Sequence, residues 1–112
     1  MRRVFIESKG FQAFVDKVND SDFVPEIQSL ILENPEVGKV IEGTGGIRKM
    51  RVADAKRNQG KRGGHRVLYL DLSEREKTYL LLAYPKGKKD DISADEKKVL
   101  KALVQLIKKE AK

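Results

Sequence analysis

The chain has 112 residues, 37% of them charged, with a formal net charge of +7, one histidine and no cysteine. That length fits one domain, residues 1–112, built around a single modest core. Without cysteine, disulfide staples and thiolate metal centres are excluded, and a lone histidine leaves a zinc site short of ligands.

No apolar run approaches the length of a membrane span, and the opening MRRVFIES holds an apolar run of three residues, too short for a signal peptide. A soluble cytoplasmic protein is the expectation. The positive charge is concentrated. Between Arg48 and Arg66 stand eight lysines and arginines against Asp54 alone, whereas residues 1–47 carry a net −3. A positive field gathered beside apolar strands suits the steering and docking of a polyanion.

In chain order, Arg3 to Glu7 reads as a short strand, rich in β-branched and aromatic residues. Ser8 is placed to cap a helix whose Phe11, Phe14, Val15 and Val18 recur at helical spacing. Asn19 to Asp22 breaks it, and Ser21 or Asp22 caps a second helix that tolerates Pro25 in its first turn. Val24, Ile27, Leu30 and Ile31 share one face of that helix, which ends at Asn34-Pro35. The glycine-rich link Glu42 to Gly46 leads into a strand from about Ile47 to Ala53. The basic stretch Ala55 to Gly64 reads as a loop. Strands at Arg66 to Leu72 and Lys77 to Tyr84 follow, and the second, continuously apolar, is expected to be a buried central strand. Ser93 and Glu96 form a capping box. The last helix carries Val99, Leu100, Leu103, Leu106 and Ile107 on one face, lysines on the other, and a cationic last turn at Lys108 and Lys109. The order is β-α-α-β-β-β-α, an α+β fold. Its strands form a small antiparallel sheet packed against the N-terminal helical hairpin, with the helices on one face.

Side chains alternate along a strand, so Lys49 and Arg51 share a face about 7 Å apart, similar to the separation of successive phosphates. Arg66 opens the next strand and falls near Arg51 if the two strands pair. Three cations on one sheet face repel one another unless an anion lies between them. An ordinary solvated face is the plainer reading. Arg48, Lys56, Arg57, Lys61 and Arg62 are expected to give sequence-independent contacts to nucleic-acid phosphates. Gly60, Gly63 and Gly64 lack the ending of a phosphate-binding P-loop. Tyr84 is suited to stack on a base or donate a proton, and Lys86 to meet the same anion as Arg66. His65 alternates with Arg66, so it faces the other way and is assigned a structural or rim role.

The blocks GTGGIRKMRVA, GKRGGHRVLY and YLLLAYPKGKKDDISADEKK, with the VFIES start and NPEVGKVI, together resemble the HigB branch of the RelE/ParE toxin superfamily over nearly the whole chain. The resemblance implies a small antiparallel sheet with a helical hairpin. It implies a ribosome-dependent mRNA endoribonuclease that cleaves in the ribosomal A site without metal or cofactor. It also implies neutralisation by a helix-turn-helix antitoxin of the HigA type. Carried over, the catalytic positions are Lys49, Arg51, Arg66 and the Tyr84–Lys86 segment. RelE has a further arginine and tyrosine beyond the last strand, where this chain has Gly87 and Ile92 or Ser93, so Tyr84 stands in as proton donor. Two other functions fit the same fold: a ParE-like gyrase inhibitor and a non-catalytic RNA-binding module.

Overall fold

The computed structural model describes residues 3–53, 64–87 and 92–110. Strand β1 (Val4–Glu7) leads into α1 (Lys9–Val18), which begins at Ser8 as its spacing predicts. Ser8 Oγ accepts the Phe11 amide proton at 3.0 Å and donates to the Leu81 carbonyl at 2.6 Å, so one hydroxyl caps the helix and ties it to the sheet. Asn19, at φ 51°, ends α1 in the left-handed region that asparagine tolerates. Helix α2 (Phe23–Glu33) begins after Asp22, whose side chain makes no capping bond; Asp20 Oδ1 instead accepts from the Asp22 amide at 3.0 Å. Asn34 closes α2.

The remaining strands are β2 (Lys39–Val40), β3 (Arg48–Val52), β4 (His65–Leu72) and β5 (Lys77–Pro85), before the final helix α3 (Ala94–Glu110). The sheet order is β1-β5-β4-β3-β2. Two features depart from the expected antiparallel sheet. β1 pairs in parallel with β5, which makes the sheet mixed, and the two-residue β2 adds an edge beyond β3. A strand that pairs across some 70 positions leaves no local trace, and two residues are too few to alternate visibly.

The helices lie on both faces rather than one. Phe11, Phe23, Ile27 and Ile31 from the hairpin pack with Met50, Val52, Val67, Tyr69 and Leu80. On the other side Val104 of α3, flanked by the partly buried Leu100 and Ile107, packs on Ile47, Leu68, Leu70 and Leu81. The reason lies in β4, the middle strand, where Val67 and Tyr69 face one way and Leu68 and Leu70 the other. A strand apolar on both faces needs cover on both. β5, the run expected to be central, is an interior strand beside it.

Two polar ties fix this frame. Arg3 of the β1 lead-in forms a buried ion pair with Asp71 on β4, and both reach the Thr78 hydroxyl on the intervening β5, at 3.1 Å from Arg3 and 2.7 Å from Asp71. The fully buried Tyr69 donates its hydroxyl proton to the Pro35 carbonyl at 2.8 Å and accepts from the Gly38 amide at 2.9 Å. A β-carbon at Gly38 would lie 2.9 Å from both the Lys49 carbonyl oxygen and the Tyr69 ring, so only glycine fits where the chain enters β2.

Candidate nucleic-acid and active site

The glycine-rich link before β3 sets the phase of that strand. Gly43 and Gly45 both take φ of 83°, and Thr44 Oγ1 donates to the Ile41 carbonyl at 2.7 Å while accepting from the Ile47 amide at 3.1 Å. Ile47 thereby points into the α3 core. Alternation then sends Lys49 and Arg51 to that same face, and Met50 and Val52 to the hairpin face.

Register brings the site together. Arg51 stands opposite Arg66, and Arg66 opposite Tyr84, so three neighbouring strands place these residues side by side on the α3 face, about 4.8 Å from strand to strand. Lys49 is one alternation along β3, opposite Leu68. A β-bulge completes the row. The pairing steps from Leu68↔Leu82 to Tyr69↔Leu80, so Leu81 is an extra residue in β5. Leu80 belongs to the hairpin core, and regular alternation would have sent Tyr84 there too. The bulge reverses the phase and delivers Tyr84 beside Arg66.

Arg66 and Tyr84 are each only 8% exposed, while Arg51 is exposed and Lys49 half-buried. Burial lowers the Arg66 pKa, and the facing Arg51 guanidinium lowers it further; Tyr84 acts in the opposite sense. Arg66 Nη1 also donates to the His65 carbonyl at 3.4 Å. Two like charges directly opposed across a strand pair destabilise it, and a phosphate seated between them relieves that repulsion.

The other expected residues are distributed as follows. Lys86 follows β5, its amide donating to the Gly64 carbonyl at 3.1 Å, with its side chain exposed. Arg48 is not brought to the row. It lies on the opposite face, donating to the Gly38 carbonyl at 2.8 Å and pairing with Glu36 at 3.4 Å. Lys56, Arg57, Lys61 and Arg62 lie outside the described residues. His65 faces the hairpin, its ring edge-on to Phe14 and Phe23 with centroids 5.2 and 5.4 Å away. Sequence reasoning misses Lys39. It stands opposite Lys49 on β2, on the same face and exposed, so the cationic row begins one strand further out. Only the pairing reveals it, because nothing local marks Lys39 as a neighbour of Lys49.

The family model described as RelE toxin of the RelE / RelB toxin-antitoxin system matches residues 3–112. The chain belongs to the RelE toxin family. It is therefore the toxin of a toxin–antitoxin system, with an antitoxin as its partner. Among the described residues, the α+β architecture of three α-helices and a mixed five-stranded sheet is consistent with the RelE-like fold. Among the described residues no helix is long and apolar enough to cross a membrane.

Proposed function

We propose that this RelE-family toxin is a ribosome-dependent mRNA endoribonuclease of the HigB type, acting in the cytoplasm and held inactive by a HigA-type antitoxin. The observation that carries the reading is the register of Arg51, Arg66 and Tyr84 across three strands, with Lys49 beside them. The reaction is attack of a ribose 2′-hydroxyl on the adjacent phosphate. The new O2′–P bond gives a 2′,3′-cyclic phosphate, the P–O5′ bond breaks, and the 5′-oxygen leaves as a hydroxyl. Lys49 orients the 2′-hydroxyl or takes its proton. Arg51 and Arg66 hold the extra negative charge of the transition state, each worth about 3 kcal/mol. Tyr84 or Lys86 gives a proton to the leaving oxygen.

This set is weak in acid–base power, since the one histidine faces the other side of the sheet. Holding the message in line for attack supplies a large part of such a barrier, which is the role assigned to the ribosome. Naked transcripts are therefore cut poorly.

The test adds purified protein to translating ribosomes and maps mRNA 5′ ends by primer extension, with Arg66→Ala alongside. Discrete cuts within A-site codons, absent in the variant, are expected. Intact message with the wild type, together with inhibited DNA supercoiling, would replace this reading with gyrase inhibition.

A further inference from the structure

We propose that the lysine face of α3 is a second polyanion-binding surface, which docks the protein on the phosphate backbone of a structured RNA while the scissile strand lies at Lys49, Arg51 and Arg66. This rests on the reading of the protein as a ribosome-dependent nuclease and names the surface that finds the ribosome. Lys97, Lys98, Lys101, Lys108 and Lys109 fall within an arc of about 120° around the helix, given 3.6 residues per turn. The helix acids Asp95, Glu96 and Glu110 all fall outside that arc. Among the described residues none of the five lysines forms an ion pair. All but the half-buried Lys97 are exposed.

The face is continuous with the row on the sheet. Lys97 runs beside Gly43, and Lys108 Nζ donates to the Gly45 carbonyl at 3.2 Å, so this edge of α3 borders the link between β2 and β3. At the far end of that link stand Lys39 and Lys49. The five lysines span about 18 Å of a rigid helix at 1.5 Å per residue, in two groups, Lys97, Lys98 and Lys101 and then Lys108 and Lys109, separated by the turn that carries Gln105.

A protein partner needs an apolar or aromatic centre for a dry contact. Gln105 and Ala94 are the remaining residues of the arc, and the exposed Val99, Leu103 and Leu106 lie on the other flank. Lysines are point charges without the planar fork that reads a specific group, which suits contact with a backbone of any sequence. A rigid row of point charges fits a rigid, folded RNA better than a loose single strand.

The test compares the wild type, Lys98→Glu/Lys101→Glu/Lys109→Glu and Arg66→Ala for equilibrium binding to purified ribosomes across a salt series, and for mRNA cleavage by primer extension. The three reversed lysines are exposed, and circular dichroism checks the fold; the matching triple alanine variant gives an intermediate effect. The expected result is a more than tenfold weaker affinity for the triple glutamate variant. Its log–log salt slope should flatten by about two to three, since each phosphate no longer neutralised reduces the slope by about 0.9. Saturating concentrations of that variant still cut the message. Arg66→Ala loses far less ribosome affinity than the triple glutamate variant and cuts about 10²- to 10³-fold more slowly even at saturation. Equal affinity and equal slope for wild type and triple variant would overturn the docking surface while leaving the nuclease reading intact. Unchanged ribosome affinity with lost antitoxin binding would overturn it in favour of a protein partner. A wild type that cuts no message would refute the nuclease reading, and the affinity comparison would still decide the lysine face.

Discussion

Arg66 holds its charge where the fold disfavours it. Burial and the facing Arg51 both lower its pKa. A base with a lowered folded-state pKa opposes folding whenever it is protonated, and Arg66 is protonated throughout the working pH range. That contribution is therefore constant near neutrality and disappears only in strong alkali. Arg66→Met keeps most of the packed stem and removes the charge. Its melting temperature is expected to equal or exceed that of the wild type, while cleavage falls about 10²- to 10³-fold. Phosphate should raise the wild-type melting temperature more than that of the variant, because the variant has lost the Arg51–Arg66 repulsion that an anion relieves. A marked fall in melting temperature would make Arg66 a structural residue. His65 has the opposite profile. Packed in T-shaped contact against both Phe14 and Phe23, it serves the hairpin core. His65→Ala should cost about 1–3 kcal/mol in urea unfolding, and the protein that remains folded should cut at the wild-type rate.

At the scale of elements, the first strand is held by chemistry as well as by its ladder. The Arg3–Asp71 ion pair spans β5 and is nearly sealed from water, with the Thr78 hydroxyl hydrogen-bonded to both partners. Removing one partner leaves a buried, uncompensated charge, so Arg3→Met or Asp71→Ala alone is expected to cost about 3–5 kcal/mol, whereas Arg3→Met with Asp71→Leu should recover most of that loss. Chemical unfolding of the three variants measures it; additive losses in the double variant would contradict it. This clamp was not legible in the sequence, because Arg3 and Asp71 become neighbours only through the parallel pairing of the chain's first and last strands. What was legible came from local chemistry. The Ser8 cap, the break at Asn19, the alternation of Lys49 and Arg51 against Met50 and Val52, and the reciprocal Ser93–Glu96 bonds at 3.0 and 3.2 Å all stand as the spacing predicts. Helix α3 marks the limit of periodicity. Its apolar arc is wide, and the pattern does not say that Leu100, Val104 and Ile107 are covered while Val99, Leu103 and Leu106 are left exposed. The bulge at Leu81 likewise has no local signal, yet it decides which face Tyr84 joins.

Across the whole molecule the sheet separates two kinds of charge. Residues 9–33, the hairpin side, carry five acids against Lys9 and Lys17, a net −3, while α3 carries five lysines against three acids. The candidate-site row of Lys39, Lys49, Arg51 and Arg66 looks out on the α3 side. A charge distribution this lopsided orients the protein in the field of a polyanion before contact, so the row and the lysine helix arrive first. Orientation acts on encounter and not on chemistry. Accordingly kcat/KM for mRNA cleavage should fall at least tenfold between about 50 and 200 mM salt, and kcat much less. Glu26→Lys with Glu33→Lys separates steering from simple attraction. Both positions are exposed on the hairpin side, and the change makes the protein more cationic while erasing its asymmetry. If net charge alone governed association, kcat/KM would rise. With orientation in control, total RNA binding rises but kcat/KM stays level or falls, since the added encounters bring the wrong face of the sheet to the message.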